Sequence, residues 1–397
     1  MFALTSVTSD SADTMSAWTT LLLAFSCGLI AANLYYAQPL IGPIGADLGL
    51  RPQLAGLLVT MSQVGYGAGL LLVVPLGDLV ENRKLVISIM AVGAVALTCA
   101  AFATQPLPFL AAALLIGLGS VSVQILIPYA GHLAPEATRG RAIGNVTTGL
   151  MLGIMLARPV SGFVAAHSSW HVIYAASAVA MVVLAVVLRL LLPRREPTAR
   201  LSYGQLLSSM VDLMRTTPAL LRRGLYQAAL FGAFSLFWTT SPLLLAGPDF
   251  RLSQSGIALF ALAGVAGAIT GPIAGRVADR GWTRPATAVA LLLGAGSFAV
   301  TGIFPLGSTL SLAMLVVAAI AIDCGAQLNL ILGYRVLFVL GAESRSRLNG
   351  LYMTTFFVAG AAGAGVGAFA YAHGGWLLAS SIGAVLPLLA LVYLATE

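Results

Sequence analysis

Two ionisable side chains, Arg158 and Asp323, interrupt long apolar runs. A charge in the middle of a membrane costs about 2.5–3.5 kcal/mol on insertion scales, so it usually faces a cavity or a partner. Asp323 shares a helical face with Gln327 and is a candidate protonation or cation-coupling site; the alternative is a buried hydrogen-bonding anchor. Arg158 is a candidate to hold an anionic substrate or a gate carboxylate; alternatively, it reaches the membrane interface or bonds nearby carbonyl groups.

A second group of candidates consists of uncharged polar and aromatic residues in the same runs. A cavity for an organic solute needs such sparse polar points among apolar and aromatic walls. Each residue could instead make only a hydrogen bond between helices, often worth about 0.6 kcal/mol. The group comprises Asn33, Tyr36, Gln63, Tyr66, Gln124, Gln227 and Trp238.

Patterns for catalysis or for a bound metal are missing from the sequence. The four histidines and three cysteines do not have the spacings of metal or redox motifs. No Ser/His/Asp cluster or phosphate-binding loop is visible. We therefore expect neither an enzyme nor an ATP-driven pump, and we expect no cofactor and no metal site.

The composition indicates that membrane helices position these residues. Of the 397 residues, 59% are hydrophobic and 8% are charged, against roughly 45–50% and about 25% in soluble domains. A soluble enzyme and a disordered chain are therefore excluded. The net charge of +7 does not indicate nucleic-acid binding, because the basic residues lie in short scattered clusters.

The apolar runs are long and continuous, as in helices of about 20 residues that cross a bilayer, and lack the alternation of barrel strands. All but three of the lysines and arginines fall on one side; the exceptions are Arg51, Arg158 and Arg251. We therefore predict a multi-pass protein of a bacterial-type inner membrane with both termini in the cytoplasm. The predicted helices number twelve, at residues 17–41, 54–77, 85–105, 108–131, 142–166, 171–192, 224–247, 254–277, 285–304, 309–334, 347–372 and 376–395.

The chain reads as two repeated halves. Residues 1–16 form a cytoplasmic tail, 17–192 and 224–397 form two six-helix bundles, and 193–223 form an amphipathic cytoplasmic linker. Asp78 and Asp279 follow helices 2 and 8 and lie about half the chain apart. Small residues recur every fourth position in helices 5, 8 and 11, which lets helices pack closely in lipid. Two such bundles suggest rocking about a midplane site, and one chain then contains a whole cavity, so we expect a monomer.

The motifs resemble those of the major facilitator superfamily over nearly the whole chain. The segment after helix 2 is similar to that family's loop signature, and the segment after helix 8 is a second copy. Helix 5 resembles the antiporter motif of drug–proton exchangers, with Ala157 and Arg158 where that motif has its glycine before proline. The resemblance implies a gating role for Asp78, Arg83, Lys84, Asp279, Arg280, Gly153, Pro159 and Gly162. Alternatively, some of the charged ones only set the topology.

The resemblance implies an all-α major facilitator fold and a secondary active transporter that works by alternating access. Its antiporter-like part implies proton-coupled export of a small organic molecule. The expected partners are a small-molecule substrate, protons and the lipid bilayer, with no nucleic acid. Two alternatives are an importer of a nutrient or metabolite and a membrane sensor or scaffold without transport.

Overall fold

The chain folds into helices, and the described residues include no strand. The computed structural model describes residues 16–136, 138–195, 202–340 and 345–397, without the side chains of residues 268, 279, 338, 345 and 346. Most of the predicted amino-terminal tail and residues 196–201 of the predicted linker lie outside these ranges. The α-helices are α1 Ala17–Ala32, α2 Ile41–Asp47, α3 Leu57–Leu72, α4 Asn82–Ala101, α5 Pro106–Ser120, α6 Val123–Leu133, α7 Arg139–His167, α8 Trp170–Leu191, α9 Tyr203–Thr216, α10 Pro218–Ala246, α11 Gln254–Ala261, α12 Thr270–Asp279, α13 Thr283–Ala299, α14 Thr309–Val339 and α15 Arg345–Leu394.

Ten helical stretches within the described residues are long and apolar enough to cross a membrane. Two of them combine labelled elements: Pro106–Leu133 contains α5 and α6, and Gln254–Ala278 contains α11, a 3-10 segment and most of α12. The shorter apolar helix α1 has 16 residues. The all-helical membrane fold expected from the composition is therefore confirmed.

The last stretch, Arg347–Leu394, has 48 residues and turns back on itself at Gly375. Gly375 has a φ of 60°, a conformation that a residue without Cβ adopts without strain. Beyond this turn Trp376 donates to Thr301, and Glu397 reaches Arg223 near the start of α10. The part of α15 beyond Gly375 therefore packs on α10 and on the segment that follows α13.

Several helix boundaries differ from the prediction because of proline and of local backbone geometry. The predicted first helix ran to residue 41, whereas α1 ends at Ala32 and a turn leads into the 3-10 segment Gln38–Leu40, where Pro39 has no N–H to donate. α10 begins at Pro218, six residues before the predicted start, because proline favours the first helical position. The middle of predicted helix 8 is the 3-10 segment Leu262–Ile269.

Glycines bring equivalent helices of the two halves into backbone contact. We call α1–α8 the N half and α10–α15 the C half. In the N half, Gly28 of α1 packs against Gly149 and Gly153 of α7, and a methyl group on Gly153 would overlap the carbonyl of Gly28. In the C half, Gly232 of α10 packs in the same way against Gly363 of α15. Small residues thus set the helix spacing in both halves.

The two ends of the bundle differ in their connections. At the end that we call the linker end, α9 contacts both halves: Tyr203 donates to the Leu72 carbonyl over 2.8 Å, and Arg347 donates to Ser209 over 2.8 Å. The opposite end, the far end, contains the turns at Gly49 and Gly307, both with positive φ. The cavity described below lies between these ends.

The glycine contact between α1 and α7 yields a test of stability. We expect Gly153→Ala to lower the free energy of unfolding by about 1–3 kcal/mol, because the new methyl group must push two backbones apart. The matched control is Gly144→Ala in the same helix, where a Cβ meets no atom within 4 Å. Thermal unfolding in detergent measures both variants, and equal melting temperatures would contradict the prediction.

Candidate substrate and coupling site

The two intramembrane charges pair with each other across the halves. Arg158 of α7 and Asp323 of α14 are 1% and 6% exposed. The Nη1 atom of Arg158 lies 3.9 Å from Oδ1 of Asp323. A buried charge without a counterion is costly, and here each residue is the counterion of the other. The pair therefore joins the N half to the C half through a charge interaction.

Gln38 and three aromatic rings hold the guanidinium of Arg158. Its Nε donates to Oε1 of Gln38 over 2.6 Å. The guanidinium carbon lies 4.3 Å from the ring centre of Trp238, 5.0 Å from that of Phe234 and 5.3 Å from that of Tyr35. Aromatic faces attract cations at these distances. Since Trp238 and Phe234 belong to α10, Arg158 reaches into the C half.

Asp323 is oriented by Trp238 and lies against two glycines of a neighbouring segment. The indole Nε1 of Trp238 donates to Oδ2 over 2.8 Å, which leaves Oδ1 facing Arg158. The 3-10 segment Leu262–Ile269 covers this group. A Cβ on Gly267 would stand 3.0 Å from Cβ of Asp323, and a Cβ on Gly264 would stand 3.0 Å from the Trp238 ring. The two glycines thus leave the space that the ion pair fills.

A cavity of about 640 Å³ begins at the ion pair and extends toward the linker end. Its volume lies within the usual range of roughly 300–1,000 Å³ for small-molecule sites. Among the described residues, Arg158 and Asp323 are the only charged ones that line it. The remaining wall is largely apolar and aromatic, with polar points at Tyr35, Tyr66, Gln124, Thr147, Gln227, Gln327, Tyr334 and Asn349.

Beyond the ion pair, contacts between the halves close the far end. Thr60 donates to the Ala361 carbonyl over 2.8 Å, and Gln254 donates to the Pro39 carbonyl over 2.8 Å. Gly56 lies against the backbone of Ala364 so closely that a Cβ would overlap it. The cavity therefore lies on the linker side of the ion pair, and contacts between the halves close the far side.

Several predicted polar residues lie at the cavity. Gln124 donates to the hydroxyl of Tyr66 over 2.8 Å, and both line the wall. Gln227 is fixed between α10 and α14, because its amide donates to the Ala326 carbonyl and accepts from Asn329. Gln327 lies beside Met151 of the N half.

Other predicted residues are held elsewhere. Asn33 accepts a 2.5 Å hydrogen bond from Ser177 of α8, and Tyr36 packs edge to face on Tyr174, so both are occupied within the N half. Gln63 donates to Ser235 over 2.9 Å and joins the halves. The structure therefore places these three outside the wall of this cavity.

Gln38 and Gly264 are contacts of the ion pair that the sequence analysis missed. Gln38 fell inside a predicted helix, and its only signal was the neighbouring Pro39, which breaks that helix. Gly264 does not belong to the row Gly267, Gly271 and Gly275 that small-residue spacing picks out. Both become recognisable once the segments that carry them are placed against Arg158.

The glycines and proline of the helix-5 motif serve helix contacts. Gly153 packs on Gly28, as described above, and a Cβ on Gly162 would stand 2.8 Å from that of Ala258 in the C half. Pro159 is buried beside Arg158 inside α7. The motif thus lies between α1 on one side and α11 on the other.

The charged residues after α3 lie at the linker end. Arg83 donates to the carbonyls of Arg189 and Leu192, where α8 ends. Asp78 is exposed and interacts electrostatically with Arg195, Arg347 and His132. Since Arg347 belongs to α15, this interaction spans the halves. Lys84 and Arg280 are exposed, and the side chain of Asp279 lies outside the described part of the chain.

Comparison with known proteins settles the family. Residues 21–334 match the Major Facilitator Superfamily. The chain belongs to this superfamily. It is 37% identical over 371 residues to the "Uncharacterized transporter YgaY" of Escherichia coli O157:H7, covering 94% of this chain and 93% of the relative. It is 31% identical over 358 residues to the "Probable transporter SCO4007" of Streptomyces coelicolor, covering 89% and 82%.

Solved structures share the fold of this superfamily member. The nucleoside transporter NupG superposes with a TM-score of 0.77 over 95% of this chain and 99% of its own, at 14% identity. A peptide transporter POT superposes with a TM-score of 0.75 over 96% of each chain, at 16% identity. At these identities the likeness concerns the fold, so the chemistry of the site rests on this chain's own residues.

The ion pair predicts non-additive effects of mutation. Arg158→Gln leaves Asp323 buried without a counterion, and Asp323→Asn does the same to Arg158, so each single change is expected to cost about 3–5 kcal/mol of unfolding free energy. The double variant removes both charges and is expected to recover much of that loss. Thermal unfolding of the four proteins in detergent tests the coupling. Strictly additive losses would show that the two charges do not depend on each other.

Proposed function

We propose that this Major Facilitator Superfamily transporter carries a small organic solute by proton-coupled alternating access, and that Arg158 and Asp323 couple the proton to the movement. The observation that carries the proposal is the placement of this pair. It holds the only charges in the described cavity wall, and its two members belong to opposite halves. A change in its charge therefore acts on the joint between the halves.

Protonation of Asp323 would weaken one contact of the site and spare another. A neutral carboxyl group loses its Coulomb attraction to Arg158 across the halves. It still accepts the hydrogen bond from Trp238, which belongs to the same half. Loss of the cross-half attraction favours separation of α7 from α14, whereas the C half keeps its internal packing. Such a differential contact is what a two-state equilibrium needs.

The proposed orientation places the linker end in the cytoplasm. The basic loops lie at this end, and positive loops of bacterial membrane proteins stay in the cytoplasm. In a bacterial-type inner membrane the structure would then be the inward-facing state, with its periplasmic side closed. We propose a monomer as the working unit, because the two halves of one chain enclose the cavity.

Two directions of transport are candidates. Export is the direction that the antiporter-like motif of α7 implies. Uptake is the second candidate, and the specific observation in its favour is that the position before Pro159 holds Arg158, a cation that contacts the C half, instead of the motif's glycine. Flux measured with the proton gradient in either orientation distinguishes the two directions, and no flux in either would favour the sensor or scaffold.

Removal of the titrating carboxylate tests the coupling. A thermal-shift screen of metabolites and drugs supplies solutes that bind, and proteoliposomes then report their flux with and without a pH gradient. We expect that the pH gradient no longer accelerates solute flux in Asp323→Asn, because an amide side chain does not take up a proton at the pH values of the assay. The matched control is Asp212→Asn, the same change at an exposed site on α9. Gradient-driven flux that survives in Asp323→Asn would remove this residue from coupling.

The electrostatic interaction of Asp78 across the halves predicts an effect on conformational change without one on binding. We expect Asp78→Asn to lower the rate of transport several-fold, because it removes a charge that faces Arg347 across the halves. Solute affinity should change little, since Asp78 is not among the residues that line the cavity. Binding by calorimetry and flux in proteoliposomes measure the two quantities separately. A loss confined to affinity would count against the gating role.

A further inference from the structure

The guanidinium of Arg158 has unused hydrogen-bonding capacity at the cavity. Of its five N–H groups, the one on Nε is bonded to Gln38. Nη1 lies 3.9 Å from the carboxylate of Asp323, which is beyond hydrogen-bond distance. Nη2 is buried and has no hydrogen-bond partner among the described residues. A buried donor without a partner is costly, so an acceptor atom on a bound ligand would relieve this cost.

The shape of the cavity suits an organic molecule with one acidic end. Arg158 lies at its inner end, and planar guanidinium groups bind carboxylates through two parallel hydrogen bonds. The ring of Phe234 lies beside it, and the rings of Phe231, Phe356 and Phe357 continue from Phe234 along the cavity wall. These rings offer an apolar surface to the body of a ligand. Gln124 and Gln327 provide hydrogen-bonding groups farther along the wall.

The charge of Asp323 decides when an anion can enter. While Asp323 is ionised, the pair is neutral overall, and a second carboxylate beside it would be repelled. Once Asp323 is protonated, the site carries one uncompensated positive charge on Arg158. We propose, building on the coupling role given to Asp323 above, that the cavity binds a small organic anion on Arg158 when Asp323 is protonated. Proton and anion are then taken up together.

Other groups around Asp323 do not replace it as the titrating residue. Arg158 faces it from α7, and Tyr35 faces it from the turn after α1. α10 contributes Trp238, which does not titrate, and the 3-10 segment contributes Gly264 and Gly267. Arginine and tyrosine ordinarily titrate above pH 9. A proton taken up with the ligand near neutral pH therefore belongs to Asp323.

This linkage determines the relative direction of the two movements. Exchange of a proton for a solute requires that each displaces the other from the site. Here the anion favours the proton and the proton favours the anion, and such coupling is reciprocal. The two therefore travel in the same direction, with no net charge moved. Under an inward proton gradient the result is uptake of the acid.

A cationic substrate would behave in the opposite way. It would have to bind at Asp323 against the neighbouring guanidinium, and it would expel the proton. Its binding would strengthen as the pH rises, whereas binding of an anion strengthens as the pH falls. The sign of the pH dependence thus separates the two classes of ligand.

The test uses probes that share one skeleton and differ in charge. Benzoate, benzamide and benzylamine form one series, and hexanoate, hexanamide and hexylamine form another. We expect at least one carboxylate to raise the melting temperature of the purified protein, while its amide and its amine do not. Its affinity by calorimetry should increase as the pH is lowered, by up to about tenfold per pH unit, the limit for one proton per ligand. No binding by either carboxylate, or binding by the amines instead, would overturn the proposal.

Three variants separate an anion site from a merely structural ion pair. Asp323→Asn imitates the protonated state, so the carboxylate should bind it with undiminished affinity that no longer depends on pH. Arg158→Gln should lose the binding, and Arg158→Lys should retain a weaker form of it, because lysine keeps the charge without the planar fork. Loss of binding in Asp323→Asn that is folded by size-exclusion chromatography and circular dichroism would contradict the proposal.

The outcomes also distinguish this proposal from the proposed function. If carboxylates bind with the expected pH dependence but their flux ignores the pH gradient, the anion site stands and the coupling mechanism fails. If flux follows the gradient for amines and not for carboxylates, coupling stands and the anion site fails. Internal pH reported by a trapped dye shows the direction: co-movement acidifies the vesicles as benzoate or hexanoate enters, beyond the change in protein-free vesicles.

Discussion

A charge buried in an apolar interior needs a counterion, and this requirement organises the structure. Arg158 and Asp323 meet it only by coming together from opposite halves of the chain. The surrounding residues support this pairing: Gln38 and Trp238 orient the two groups, aromatic rings contact the guanidinium, and glycines leave room beside the carboxylate. One attraction between opposite charges thus links the halves through the carboxyl group of Asp323.

If two halves are to move relative to each other as rigid bodies, the helices within each half must be tightly packed. Backbone contacts at Gly28 and Gly153 in the N half, and at Gly232 and Gly363 in the C half, give each bundle a close internal contact that larger side chains would prevent. The halves also pack on each other: Gly56 lies against the backbone of Ala364, and Thr60 and Gln254 add hydrogen bonds. Among the described contacts between the halves, the ion pair is one whose charge a proton can change.

The small number of charged side chains in the described cavity wall also bears on the specificity for a ligand. The described wall holds one positive and one negative group, so a proton on Asp323 changes the net charge of the site from zero to plus one. In surroundings of low polarity this change of net charge has a large electrostatic effect, because few other charges screen it. In the proposed mechanism, the same two side chains connect proton uptake with selection of a ligand and with the contact between the halves.

Composition and spacing along the chain were sufficient to predict a helical membrane protein and to single out Arg158 and Asp323, because a charge within an apolar run is visible in one dimension. Their pairing was not predictable, since α7 and α14 meet only in the folded chain. The same limit explains Asn33 and Tyr36, which were grouped with Tyr66 as cavity candidates but whose side chains bond to or pack on α8. It also explains Gln38, which bonds to Arg158 from a 3-10 segment that follows the end of α1. Spacing reports which residues share a helical face, whereas the neighbour opposite that face depends on how the helices pack.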